Sequence, residues 1–135
     1  MTRQQLIETL QIWMNAWNEH DLDEVMMLFH DEAIFENWDG KITRGKANIR
    51  RLWTPWFANH GDFHFALEDI VVDETAQKAL LRWRLTWPSP EKTTRGEPEV
   101  RQGLDVLHFA EGLITHKLTY SKTVVLVNGR RHLLP

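Results

Sequence analysis

Between Lys78 and Pro88 the side chains alternate so regularly that only one backbone fits. Ala79, Leu81, Trp83, Leu85 and Trp87 fall on one side, and Arg82, Arg84 and Thr86 on the other. Successive side chains of an extended chain point to opposite faces, so the run reads as a strand over about 77–87 with one face in a core. Pro88-Ser89-Pro90 ends it, because proline cannot donate to a ladder. The same period-two signal recurs over about 62–73, 100–110 and 113–126.

The first half of the chain carries a different period. Leu6, Leu10, Trp13, Met14 and Trp17 recur at three- and four-residue spacing and predict an amphipathic helix over residues 3–19. Asp21, with Glu24 three positions on, has the form of a capping box. It opens a short second helix carrying Leu22, Val25, Met26 and Phe29. Ala33-Ile34-Phe35-Glu36 reads as a short strand ended by Trp38-Asp39-Gly40, and Gly45-Lys46 begins a third helix that Pro55 should kink or shorten. Helices first and a run of mostly antiparallel strands after them is an α+β plan: N-terminal helices packed on a strongly curved mixed sheet, a cone-shaped α+β barrel with an interior cavity. No repeat or linker-like stretch divides residues 1–135, so the expectation is a single domain.

Composition narrows the functional classes. A net charge of −3 leaves no electrostatic footprint for nucleic acid. No window approaches the roughly 18 consecutive apolar residues of a membrane span, and the N-terminus lacks a signal-peptide core. With no cysteine, disulfides, thiolate metal sites and cysteine nucleophiles are excluded, and a reducing cytoplasm is the default location. Seven tryptophans exceed what a core this size needs. They suit either dense packing with an apolar dimer interface, or the walls of a cavity for a flat, small apolar or aromatic molecule.

Asp105 stands out chemically. It lies within Leu104-Asp105-Val106-Leu107-His108-Phe109, on the same strand face as Leu107 and Phe109 and opposite Leu104 and Val106. A carboxyl group on a core face is either paired with a donor or protonated. Protonated, it can donate to an oxyanion; paired with an arginine or a backbone amide, it is structural. On the outer face, Leu80, Leu104 and Val106 among Arg82, Arg84 and Lys117 predict a mixed surface suited to a homodimer.

Taken in order, Trp17-Asn18-Glu19-His20-Asp21-Leu22-Asp23, Leu28-Phe29-His30-Asp31-Glu32-Ala33, Gly45-Lys46-Ala47-Asn48-Ile49-Arg50, Leu104-Asp105-Val106-Leu107-His108-Phe109 and Gly112-Leu113-Ile114 span nearly the whole chain. In that ensemble the chain resembles the nuclear transport factor 2-like superfamily, in particular its ketosteroid isomerase and SnoaL-like polyketide cyclase branches. By that resemblance the isomerase's oxyanion-hole aspartic acid falls on Asp105, a carboxylic acid that family keeps neutral in an apolar site. Its catalytic base falls on Asn37, which cannot accept a proton at neutral pH, and its oxyanion-hole tyrosine falls on Trp13, whose indole only donates. The resemblance places Tyr120, the only tyrosine, near the cavity mouth. Glu36, Asp39, His64 and His108 are alternative bases, Glu36 only if a bulge turns it inward.

The resulting expectation is an enzyme of isomerase or cyclase type that needs no cofactor and acts on a cyclic carbonyl compound by stabilising an enolate-like oxygen. Asp105 is donor or base, Asn37 a polar positioning group and Tyr120 a second donor. Trp13, Trp17, Phe35, Trp53, Phe57, Trp83, Trp87 and Phe109 supply apolar walls. The competing expectation is a non-catalytic binding or dimerisation module on the same fold, with Asp105 structural. No metal is expected: His60 and His64 have helical spacing, but Gly61 and the strand after it break that geometry. No phosphate loop, nucleophile elbow or dinucleotide fingerprint is present.

Overall fold

The computed structural model describes residues 1–134. Helix α1 spans Arg3–Asn18 and α2 spans Leu22–Met27. Strands β1 (Phe29–Glu36) and β2 (Ile42–Arg44) then precede α3, Lys46–Ala58. The remaining elements are strands: β3 His64–Asp73, β4 Lys78–Pro88, β5 Pro98–Ala110, β6 Leu113–Ser121, β7 Val124–Val127 and β8 Arg130–Leu133. Thr2 and Gln5 cap α1 reciprocally, and the Asp21 side chain accepts from Glu24 N at 3.0 Å at the start of α2.

Among the described residues, one sheet of eight strands runs in the order β2-β1-β6-β5-β4-β3, with β7 and β8 joined to it through β5. Every pairing is antiparallel except β1 with β6. The three helices pack on the concave side of the curled sheet, which is the α+β cone expected. The core lies between them: Leu6, Leu10, Val25, Met26, Ile49, Leu81, Leu85, Leu107 and Ile114 are completely or almost completely buried.

Local expectations failed where tertiary pairing outweighs local pattern. Phe29 opens β1 rather than closing α2, because its backbone pairs with Ile114 of β6. Pro55 lies inside α3, which continues to Ala58; Thr54 Oγ1 donates to Arg50 O at 2.7 Å and Asn59 N to Pro55 O at 3.0 Å, so the last turn stays bonded. The span read as one strand over 113–126 is two, broken after Ser121, and β2 and β8 are additional short edge strands.

The β5–β6 hairpin decides what the cone contains. Glu111 and Gly112, with φ of 53° and 77°, form a two-residue turn of the kind that matches strand twist. That turn pairs Ala110 with Leu113 and Phe109 with Ile114. A bulge at Thr115 then shifts the pairing by one residue, so that His108 faces His116, Leu107 faces Lys117 and Asp105 faces Thr119. Thr115 Oγ1 bonds His108 O at 3.2 Å and His116 Nδ1 at 3.1 Å, which occupies the bulged residue's side chain. A one-residue slip reverses both faces of the strand beyond it. Lys117 and Thr119 therefore point into the cone, and Tyr120 points out.

Candidate functional site

The inner face of β5 is polar along half its length. Glu99, Arg101, Asp105, Leu107 and Phe109 are all buried and all in phase, with Gly103 between the two charged groups and Asp105. The expectation that Asp105 shares a face with Leu107 and Phe109 is met. Gly103 leaves room for an indole: a Cβ there would meet Trp83 Cη2 at 2.5 Å and clash with the Tyr120 carbonyl oxygen.

Asp105 belongs to a closed triangle. Lys117 Nζ donates to Asp105 Oδ1 at 3.0 Å and to Thr119 Oγ1 at 2.7 Å, and Thr119 Oγ1 donates to the same Oδ1 at 2.6 Å. All three residues are at least nine-tenths buried. The ammonium has three donors, of which two are used here. Around it stand aromatic faces: Nζ is 4.8 Å from the Phe35 ring centroid and 5.7 Å from those of Trp17 and Trp53. Asp105 is thus an acceptor tied to a lysine, not to an arginine or a backbone amide, and in this arrangement it does not act as a free neutral donor.

This triangle lies on the wall of a cavity of about 230 Å³. Trp17, Phe35, Trp53 and Trp83 line it with Met14 and Leu85, all buried, while half-buried Trp38, Trp56 and Trp87 and half-exposed Leu52 mark the rim. Asn37 also lines it. Its backbone makes the tight turn, N to Lys41 O and O from Gly40 N, both at 2.9 Å. Its side-chain amide has no partner among the described residues and is free to meet a ligand.

The structure brings Asp105, Asn37, Trp17, Phe35, Trp53, Trp83 and Trp87 together around one cavity. Four expected site residues lie elsewhere. Trp13 is buried behind the cavity, its Nε1 donating to Val25 O at 3.1 Å, so it fastens α1 to α2. Phe57 packs 5.1 Å from Trp17 in the core, and Phe109 is core at the far end of β5. Tyr120 is 53% exposed on the outer face, turned there by the Thr115 bulge, so it cannot serve as a donor inside the cone. Among the alternative bases, Glu36 faces away from Phe35, Asp39 caps Lys41 N at 2.9 Å on an exposed turn, and His64 is exposed. His108 is half-buried on the outer face, 4.8 Å from His116. Burial, then the neighbouring His116 and Lys78, hold its pKa below the ordinary 6.5.

Sequence reasoning missed Lys117, placed on the outer face by simple alternation, and it missed the rim support. Arg101 Nη2 bonds Glu99 Oε1 at 3.0 Å and Glu91 Oε1 at 3.3 Å. Its guanidinium carbon lies 4.6 Å from the Trp38 ring centroid and 5.2 Å from that of Trp87, whose indole N–H donates to Glu99 Oε2. A signal existed for this pair: Glu99 and Arg101 are in phase with Asp105. No such signal existed for Lys117.

Away from the cavity, His20, His60 and Asp62 bring ligand-type atoms within 4.8 Å of one another. The two imidazoles stack at 3.7 Å with 13° between planes, so their in-plane lone pairs run parallel instead of converging. His20 Nε2 already meets Phe63 O at 2.8 Å, and His60 Nδ1 accepts from Asp62 N at 2.8 Å. Ring stacking accounts for the cluster. No helix of the described residues is long and apolar enough to cross a membrane.

Helices closing a curled sheet over an interior cavity with a few polar groups define a class of small α+β cones, the nuclear transport factor 2-like superfamily. Within it, residues 10–117 match the SnoaL-like domain model, and the chain belongs to the SnoaL-like family. No curated protein matches the sequence. Solved structures agree on the fold. The epoxide hydrolase/cyclase-like enzyme SalBIII, described in pyran ring formation in the polyether salinomycin, superposes with a TM-score of 0.75 at 14% identity over 90% of this chain and 95% of that one. A candidate ketosteroid isomerase from Kribbella flavida gives 0.72 at 16% identity, over 88% and 78%. A protein of unknown function from Mesorhizobium loti gives 0.70 at 21% identity, over 88% and 92%.

Proposed function

We propose that this protein is a cofactor-independent enzyme of isomerase or cyclase type. It takes a flat carbonyl compound of one or two rings into its aromatic cavity and stabilises the enolate-like oxygen that develops there. The observation that carries this reading is the Lys117–Asp105–Thr119 triangle on the wall of an otherwise aromatic cavity. A volume below the roughly 300–1,000 Å³ of drug-sized pockets limits the ligand to a compact one. Lys117, with one donor unused, replaces Asp105 as the group aimed at the oxygen, and Asn37 adds a neutral amide donor. Asp105 holds the ammonium in place and is the nearest acceptor for a substrate proton. Removing one such preorganised donor typically costs about 2.7–4 kcal/mol in the transition state. The fold relatives that act as cyclase-like or candidate isomerase proteins support this class of reaction.

Substituted phenols imitate an enolate oxygen, and the tryptophans of the cavity report on whatever enters it. Titration by tryptophan fluorescence should show affinity rising with phenol acidity, and that slope should vanish in Lys117→Met. Binding indifferent to acidity and to Lys117 would reduce the site to a plain apolar pocket.

The outer face supports a second element of the proposal, a homodimer. Val71, Leu80, Val106 and Leu118 face one another across β3, β4, β5 and β6 in a single row, with Tyr120 beside it. Val71 and Tyr120 are 54% and 53% exposed. A continuous apolar row of this kind marks an interaction surface. Val106→Glu should convert a dimer to a monomer in light-scattering chromatography; an unchanged mass would exclude this face. We place the protein in the cytoplasm, a reading supported by its lack of cysteine.

A further inference from the structure

We propose that Lys117 is a covalent carbonyl trap: an aldehyde or unhindered ketone in the cavity condenses with its Nζ to form an iminium. This rests on the reading that a carbonyl group enters the cavity, and it names the chemistry that follows. Among the described residues Lys117 is the only buried lysine; Lys41, Lys78, Lys92 and Lys122 are exposed and Lys46 is half-buried. A lysine set among apolar side chains is a recurrent Schiff-base nucleophile. Here the nitrogen lies against Phe35, Trp17 and Trp53, with one hydrogen free of polar partners and the cavity beside it.

What separates this lysine from an inert ion pair is that every proton the reaction moves has a carrier in contact. The ammonium first gives a proton to Asp105 Oδ1, 3.0 Å away, leaving an amine and a carboxylic acid. The nitrogen lone pair forms the C–N bond as the C=O π pair moves onto oxygen. A second proton passes from nitrogen to that oxygen, with the Thr119 hydroxyl, 2.7 Å from Nζ, as relay. Asp105 then protonates the resulting hydroxyl, which leaves as water while nitrogen forms C=N. The substrate's oxygen departs with two protons that began on the ammonium, Asp105 is again a carboxylate, and the net charge is unchanged.

The product fits the cavity better than an ordinary imine would fit solvent. The iminium keeps the positive charge where three aromatic faces and the carboxylate already hold one. Walls of tryptophan and phenylalanine restrict the water that would hydrolyse it. The iminium also acidifies the adjacent C–H, and the regenerated Asp105 carboxylate is the base beside it. Loss of that proton gives an enamine, which serves isomerisation or ring closure as an enolate does.

The test is reductive trapping. Folded protein is treated with a sub-stoichiometric amount of 2-naphthaldehyde and sodium cyanoborohydride, which reduces an iminium to a stable secondary amine, and the modified lysine is located by peptide mass mapping. In parallel, 2-naphthol, which has no carbonyl, is titrated into the wild type by tryptophan fluorescence. The expected result is labelling of Lys117 at least about tenfold ahead of Lys78 or Lys122, suppression of that label by excess 2-naphthol, and its loss in Lys117→Arg. The 2-naphthol suppression is read on the wild type alone and so holds even where Lys117→Arg fails to fold. If 2-naphthol binds but label spreads over the exposed lysines with no preference for Lys117, the imine is overturned and the carbonyl-binding site stands. If 2-naphthol does not bind and Lys117 takes no label, both fall together.

Discussion

Lys117 reaches diagonally across the β5–β6 ladder to Asp105, with Nζ 3.0 Å from Oδ1, and the contact is shut inside an aromatic wall. Neither side chain is more than 8% exposed. Solvent therefore does little to soften the loss of either one.

Asp105→Asn leaves the ammonium buried with a weaker partner, and unfolding stability should fall by about 3–5 kcal/mol. Adding Lys117→Met should recover much of the loss, since removing both charges avoids an uncompensated one. Urea unfolding of the two single variants and the double variant measures the coupling. A cycle with no coupling would mean that the pair is not formed in solution.

Thr115 is the unpaired residue at which the β5–β6 register shifts. Deleting it removes the extra residue between the Phe109–Ile114 and His108–His116 pairs, so the turn would carry its register straight through. Because only the unpaired residue is lost, Lys117 would stay opposite Leu107 inside the cone, and His116 and Leu118 would stay on the outer face. The expected outcome is a variant that still binds phenols, and whose Lys117, mapped by acetylation, stays protected relative to Lys122. Loss of phenol binding, with Lys117 as reactive as Lys122, would show that the strands had re-paired in another register.

Gly103→Ala forces a methyl group against Trp83 and the Tyr120 carbonyl. The backbone oxygen cannot yield, so the indole or the strand must shift. Overpacking of this kind costs about 1–3 kcal/mol. Thermal unfolding followed by tryptophan emission should record both a lower midpoint and an altered native spectrum.

His108 contributes a pH dependence of definite sign. Its folded pKa lies below 6.5, mainly through burial and then through His116 and Lys78. Between the folded and unfolded values the unfolded chain binds more protons, so stability falls as pH drops below about 6.5. His108→Gln should flatten that fall. Melting curves at about pH 7.5 and about pH 5.5 compare the two proteins, and an identical slope would assign the dependence to other groups.

How far the molecule is legible from its residues depends on the range of the interaction. The helix of Leu6, Leu10, Trp13 and Trp17, the strand of Leu81, Trp83 and Leu85, and the burial of Asp105 all follow from periodicity within a single segment. A side chain's face there is decided by the residues immediately beside it. Trp38 and Trp87 at the rim were half-legible, since Glu99 and Arg101 repeat in phase with Asp105 but their partners come from other segments.

Lys117 and Tyr120 belong to another category. Read along β6 alone, Leu118 and Tyr120 are the apolar pair and Lys117 the solvated one. The chain by itself determined the helices, the strands and an acid on the inner face of the cone. Only the tertiary structure decided which residues meet that acid, because one bulged residue between two strands exchanges inside for outside while leaving the period-two pattern on either side unchanged.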